Sequence, residues 1–385
     1  TSEVGTIGDI VVGVGTSVII SSASTVTVGT VESVSIGTHF SLPVGDTKDR
    51  GDDFVEGMMR FNTDLNTMEF YNGDEWRQFT YLADIQNSPG SRGRGLFGGG
   101  QPGLSKKIDS VEIMSQGNGV DFGDLISARS NKGGYSSNIR GVFIGGATVD
   151  EMDYVTIASR GDGIDFGNLS QARGYSPGTS SSTRGLCLGG WQGSNPPSNI
   201  IDYVEIVTLG DALDFGDLFT GRYSHSCFSS PTRAFAYTGS NNNNGTIERT
   251  VEMVTIAAKG NGTDFGDPAI GGNYHQNGCS SSVRGLVAGG AGPALTTSIQ
   301  SITMASSGSS EIGGDLTAAR NRPAATSTET RAVFYGGATN GNDYSIIDFV
   351  SIASLGNAQD FGDVNDKDNY TKAGLSDSHG GLGGY

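Results

Sequence analysis

Cationic side chains are scarce in this chain: 24 lysines and arginines stand against 41 aspartates and glutamates, a formal net charge of −17 over 385 residues. Nucleic-acid affinity rests on clustered Lys and Arg, so neither DNA nor RNA is an expected partner. Cysteine is scarcer still. Cys187, Cys227 and Cys279 lie far apart and form neither a CxxC pair nor an even set, which argues against a disulfide framework and a zinc site and for small core residues. The four histidines, His39, His225, His275 and His379, show no HxH or HExxH spacing, so no metal is expected there; His225 and His275 read as packing residues at one kind of position in successive repeats. No apolar run approaches the length of a membrane span, and the start "TSEVGTIGDI" lacks a basic region followed by an apolar one. A soluble chain without membrane insertion is expected. Neither a GxSxG elbow nor a P-loop occurs, and no carboxylate pair can be placed together, so no catalytic residue and no cofactor are assigned.

What the chain has in plenty is glycine, 62 residues of it, with many Ser, Thr and Asn and with 17 Phe and 13 Tyr spread evenly. That balance describes many short strands joined by turns and leaves little room for long helices. Near-copies of one phrase recur: "SSNIRGVFIGG" from 136, "SSSTRGLCLGG" from 180, "SSSVRGLVAGG" from 280 and "STETRAVFYGG" from 327. Three landmarks mark six copies. They are an arginine (Arg94, Arg140, Arg184, Arg233, Arg284, Arg331), an alternating apolar pair (from Val111/Ile113 to Val350/Ile352), and a "DFG" triplet at Phe122, Phe166, Phe215, Phe265 and Phe361. The fifth copy has Gly313 in place of the phenylalanine.

Spacing sorts fixed parts from free ones. The interval from Val111 to Phe122 is kept in all six copies, and that from Phe122 to Arg140 in all but one, which is a residue longer. The stretch between the arginine and the apolar pair runs from 15 to 21 residues, so length varies in one connection just after the glycine pair. Constant length marks strands locked in pairing, and variable length marks a solvent loop. Each unit then reads as four short strands: a Tyr/Ser/Gly segment such as "YSPGTSSS" from 175, the "RGLCLGG" strand, the alternating "IDYVEIVTLG" strand, and "DFGDL". Repetition of such a meander every 44 to 51 residues predicts a six-bladed β-propeller. A strand at about 370–378 should complete the first blade, because His379 follows Phe361 at the interval that brings an arginine elsewhere.

The order Arg, Tyr or His, an apolar strand ending in GG and an alternating strand with Tyr, clearest in "RYSHSCFSSPTRAFAYTG" from 222, resembles the kelch motif. More specifically, "RG(V/L)F.GG … IDYV.IA..G.. DFGDL … AR" resembles the kelch-like virion structural proteins of marine bacteriophages, including cyanophages. The likeness covers roughly residues 90–385; it departs at Gly313, at "AIGGN" (269–273) in place of an "AR" ending, and in lacking the blade tryptophan of cellular kelch domains. It implies a virion component on the particle exterior, as a tail or capsid appendage, with other virion proteins as partners.

Ahead of the repeats, residues 1–41 are rich in Val, Ile, Thr and Ser, with few bulky groups from which to build an isolated core. They are expected to associate with identical copies as a stem, most simply a homotrimer that also attaches to the virion. Residues 42–85 read as a small strand-rich module with strands at Met58–Phe61, Met68–Tyr71 and Trp76–Phe79. Its pattern, "LPVG" then "MRFN", "MEFYNG" and Trp76, resembles a module of phage tail-fibre proteins; residues 86–93 are a linker and 94–385 the propeller. The fold class expected is thus all-β, a six-bladed kelch-like propeller behind a small N-terminal stem and module.

Several short motifs carry a sharp reading beside a plain one. "GNGVDFGDL" (117–125) resembles a calcium-binding nonapeptide, yet it recurs at about 47 residues instead of every ninth, so a capped turn is expected. "DFG" without a P-loop or HRD segment is no kinase motif. The acidic runs "GDTKDRGDD" (45–53) and "DVNDKDN" (363–369) read as solvated loops. The recurrent arginines read as blade-boundary forks that pair with a neighbouring blade's carbonyls or with its DFG aspartate. The longest variable connections, "GGWQGSNPPSN" (189–199) and "TGSNNNNGT" (238–246), carry the candidate ligand-binding residues Trp191, Gln192, Asn195, Asn241, Asn242 and Asn243. Trp191 has a face on which a sugar stacks, and the amides suit its hydroxyls. The function expected is non-enzymatic recognition of a host-surface glycan or protein; a capsid-surface fibre or internal platform, and a lectin or glycan-processing enzyme, are the alternatives.

Overall fold

The computed structural model describes residues 42–383 apart from 51–54, 65–66, 74, 79–92, 131–132, 147–148, 194–196, 242–246, 272, 293, 340–342 and 366–369. The stem 1–41 and nearly all of the linker 86–93 lie outside the described residues. The chain divides into two compact units, Thr1–Thr80 and Tyr81–Tyr385. Both are built from β-strands, and the helical turns among the described residues are short 3₁₀ segments.

In the first unit, Met59–Asn62, Thr67–Tyr71 and Trp76–Gln78 form an antiparallel meander, and Val44–Gly45 adds a short parallel strand to its first edge. The middle strand buries a carboxylate: Glu69 is fully enclosed, 2.5 Å from Arg50 and 3.4 Å from Arg60, with Asn62 Nδ2 donating to both its oxygens. Those partners hold its pKa below the ordinary range, the hydrogen bond from Arg50 first.

The second unit holds six four-stranded antiparallel sheets, a β-propeller-like architecture. The third is representative: Gly178–Ser180, Arg184–Gly190, Ser198–Glu205 and Leu213–Asp217 lie side by side in chain order. Its inner strand is shorter than the Tyr/Ser segment suggested, because Tyr175 adopts a left-handed backbone and so cannot continue the ladder. The first sheet takes its inner strand from the far end of the chain. Ala373–Ser376 pairs antiparallel with Arg94–Gly98, Ala373 opposite Gly98 and Ser376 opposite Gly95.

Three recurrent contacts join consecutive sheets. The landmark arginines donate to backbone carbonyls of the next sheet: Arg94 to Ile157, Arg140 to Ile206, Arg184 to Ile256, Arg233 to Met304, Arg284 to Ile352, and Arg331 to Ile113 of the first sheet. The carbonyl alternative is the one realised; the first aspartates of the DFG triplets are solvent-exposed instead. Several of these guanidinia also cover third-strand rings, Arg140 over Tyr154 at 4.4 Å and Arg331 over Phe349 at 4.5 Å.

The second contact uses the DFG glycine. Gly167 has φ +138°, and a Cβ there would sit 2.4 Å from the carbonyl oxygen of Gly210 in the next sheet, so a side chain is excluded on both counts. Each triplet phenylalanine is buried, and its carbonyl accepts from that neighbouring turn, as Phe166 does from Gly210 at 2.8 Å. In the fifth sheet the missing ring is replaced from the sixth: Leu355 reaches to within 3.3 Å of where a Cβ on Gly313 would stand.

The third contact is a buried ion pair from the end of one sheet's fourth strand or the connection after it to the third strand of the next. Arg129 meets Asp153 at 2.7 Å, Arg173 meets Asp202 at 2.7 Å, Arg320 meets Asp348 at 3.0 Å, Arg222 meets Glu252, and Lys372 meets Asp109 at 3.0 Å. At the sixth junction both charges are absent: Asn273 takes the arginine register and Gln300 the acid register, each buried. Isolated buried charge costs several kcal/mol, so the two partners vanish together. The hydrophobic clusters lie between sheets, for example Tyr135, Val142 and Met152 against Cys187, Val204 and Ile206. All three cysteines are buried and free, with thiol pKa values raised, Cys187 to about 11 and Cys279 to about 12.

Candidate functional site

The inner strands end in serines that hydrogen-bond in series. Ser136 Oγ donates to the Ser376 carbonyl, Ser376 to Ser327, Ser327 to Ser280, Ser280 to Ser229, Ser229 to Ser180 and Ser180 to Ser136, all at 2.6–2.7 Å. The C-terminal turn Gly380–Leu382 is seated on this series: His379 Nε2 lies 3.2 Å from Ser180 Oγ and 3.3 Å from the Ser136 carbonyl. A Cβ on Gly381 would stand 1.9 Å from the Ser180 carbonyl oxygen, so only glycine fits this close. Burial pulls the His379 pKa down to about 4, leaving a neutral ring.

Five residues before each of five of these serines, at the opposite end of the inner strands, stand Tyr175, Ser224, His275, Arg322 and Thr371, all with φ between +51° and +59°. Their backbones link in turn: Ser224 N donates to the Tyr175 carbonyl, His275 to Ser224, Arg322 to His275 and Thr371 to Arg322. A left-handed conformation costs a non-glycine residue on the order of 1–2 kcal/mol, and such strain gathers at functional sites. These residues surround a cavity of about 70 Å³, lined also by His225, Gln276 and Lys372.

The polar atoms around this cavity are poorly satisfied. Ser224 Oγ, both ring nitrogens of His225, Gln276 Nε2, Arg322 Nε and Thr371 Oγ1 are buried without a hydrogen-bond partner among the described residues. Arg322 Nη2 lies 3.0 Å from His275 Nε2, and a guanidinium only donates, so the imidazole accepts there. Burial, then the Arg322 charge, lowers the His275 pKa to about 3. His225 and His275 are therefore neutral, and they lie one register apart, not at equivalent positions: His275 is at the left-handed position and His225 one residue beyond it.

From this mouth runs an arc of rings. Tyr274 lies 4.6 Å from His275, His275 5.8 Å from Tyr175, Tyr175 6.0 Å from Tyr223, and Tyr223 6.5 Å from Trp191. Trp191 is held by reciprocal backbone hydrogen bonds with Gly174, half-buried, its Nε1 without a partner among the described residues. Of the other residues singled out from the loops, Gln192 is exposed with its amide against Gln171, and Asn241 is half-buried with Nδ2 3.4 Å from Glu248. Asn195, Asn242 and Asn243 lie outside the described residues.

The structure thus ties Trp191 to a set that loop length alone did not single out. The signal was nevertheless in the repeats. The position five residues before the inner serine is Tyr, Ser, His, Arg or Thr in turn, a residue of changing chemistry at a set distance from a serine that recurs in every copy. The arrangement offers hydrogen-bond donors, one guanidinium and ring faces. No protein-family model matches the chain, and no curated protein matches it.

Proposed function

We propose that the second unit is a closed six-bladed propeller that serves, without catalysis, as a host-surface recognition module of a phage virion. The six arginine contacts that step from sheet to sheet and return from Arg331 to Ile113 support the closed count. Resemblance of the repeats to kelch-like virion proteins supports placement on the particle, as a tail or capsid appendage, with residues 1–41 joining identical copies into a homotrimer. The observation that carries the recognition role is the arc from Trp191 to His275, which couples a variable connection to the strained mouth. Several weakly binding copies on one particle multiply their hold through effective concentration.

The test is adsorption of the labelled full-length chain to panels of marine cyanobacteria and unrelated bacteria. Saturable binding confined to some strains is expected, weakened about fivefold by Trp191→Ala, in line with about 1 kcal/mol for an aromatic contact. Particle reconstructions in which the propeller is enclosed by other virion proteins overturn the recognition role and leave the chain a structural platform.

A further inference from the structure

The mouth described above is unusual for its charge. In a chain with 41 acidic residues, the lining includes Arg322 and Lys372 and, among the described residues, no aspartate or glutamate. Lys372 is neutralised by Asp109 behind it, while the ion pairs of the neighbouring junctions consume Arg173, Arg222 and Arg320. Among the described residues Arg322 has no acidic partner, and its side-chain contact is the neutral His275. The unpartnered atoms around it are a guanidinium N–H, an amide N–H, two hydroxyls and an imidazole, and four of the residues that bear them, Ser224, His225, Gln276 and Thr371, are less than a tenth exposed. Buried donors left without acceptors are destabilising, and an oxyanion satisfies several at once.

We propose that this mouth is an oxyanion site, which takes the carboxylate or sulfate of an acidic saccharide while the adjoining sugar lies on Tyr175 and Tyr223. The saccharide part rests on the recognition role proposed above; the anion part rests on the mouth alone. The cavity of about 70 Å³ suits a single anionic group and leaves the pyranose outside, where the rings stand 6.0 Å apart. Arg322 and Gln276 Nε2 act as donors, and Arg322 is the specificity-determining residue.

The experiment is calorimetry on the full chain with three probes: a glucuronate-containing disaccharide, its neutral glucose counterpart, and inorganic sulfate. The acidic disaccharide is expected to bind at least tenfold more tightly than either of the others, with that preference lost in Arg322→Gln and partly kept in Arg322→Lys. Thermal melting of both variants should match the parent, since Arg322 supports no ion pair. Equal binding of acidic and neutral sugars, or an unchanged preference in Arg322→Gln, overturns the oxyanion site. Sulfate as tight as the disaccharide overturns its assignment to a saccharide. Adsorption to cells that persists undiminished in Arg322→Gln but is lost in Trp191→Ala overturns the part of this site in host binding while leaving the recognition role standing.

Discussion

At the scale of single residues, the clearest design rule is that buried charges come and go in pairs. Arg173 and Asp202 are both fully enclosed, and Asp202 also accepts from the backbone and hydroxyl of Ser170. Replacing Arg173 by Asn leaves that carboxylate without its cation and is expected to lower stability by about 3–5 kcal/mol. The chain itself supplies the rescue, since Asn273 and Gln300 fill the same registers at another junction. The double variant Arg173→Asn, Asp202→Gln should recover most of the loss, read as the shift in urea midpoint; a double variant as weak as the single one removes the pairing argument. This rule was only half visible beforehand. The "AR" endings and the "AIGGN" departure could be read from the letters, but the acid partner sits in the next repeat, on a strand whose alternation hides one polar residue among apolar neighbours.

Among elements, the fourth strand is where sequence repetition and packing agree most closely. Its phenylalanine and glycine recur because one fills the space between sheets and the other lets the next sheet's turn approach. Gly167→Ala is expected to combine left-handed strain with a 2.4 Å collision against Gly210. Gly161→Ala, with nothing within 4 Å of the added carbon, carries the strain alone. The first should therefore destabilise by several kcal/mol and the second by about 1–3 kcal/mol, measured as paired thermal midpoints. Equal losses would show that the close approach is unimportant. Strand boundaries were less legible than strand identity. The inner strand was expected from its Tyr and Ser content, yet it starts only after the left-handed residue, and no local propensity announces φ near +55° at a tyrosine or an arginine. Backbone bonds to the adjoining sheets hold that conformation, so it is a long-range property.

For the molecule as a whole, the sheet repetition, the arginine forks and the return of the C-terminal strand followed from spacing, because a fixed interval survives where individual letters do not. The turn Gly380–Leu382 did not, since one copy of a glycine-rich tail has no repeat to be compared with. Two truncations separate their roles. Loss of residues 379–385 should leave a chain that elutes at the size of the intact protein, with a slightly lower melting temperature. Loss of 373–385 strips Arg94–Gly98 of one of its two pairing partners, leaving it an exposed sheet edge, and should drive the protein into aggregates on size-exclusion chromatography. A soluble, native-sized 1–372 would contradict the structural importance of that strand. The pairing of Gly98 with Ala373 also has a bearing on biosynthesis. The first sheet of the second unit has its other three strands made by Arg129 and then waits for Ala373–Ser376, and closing the loop of roughly 275 residues between Gly98 and Ala373 costs about 5 kcal/mol from chain length alone. Completion of that sheet thus waits for Ala373–Ser376, and a nascent chain abandoned before that point carries an open strand edge free to pair with other chains.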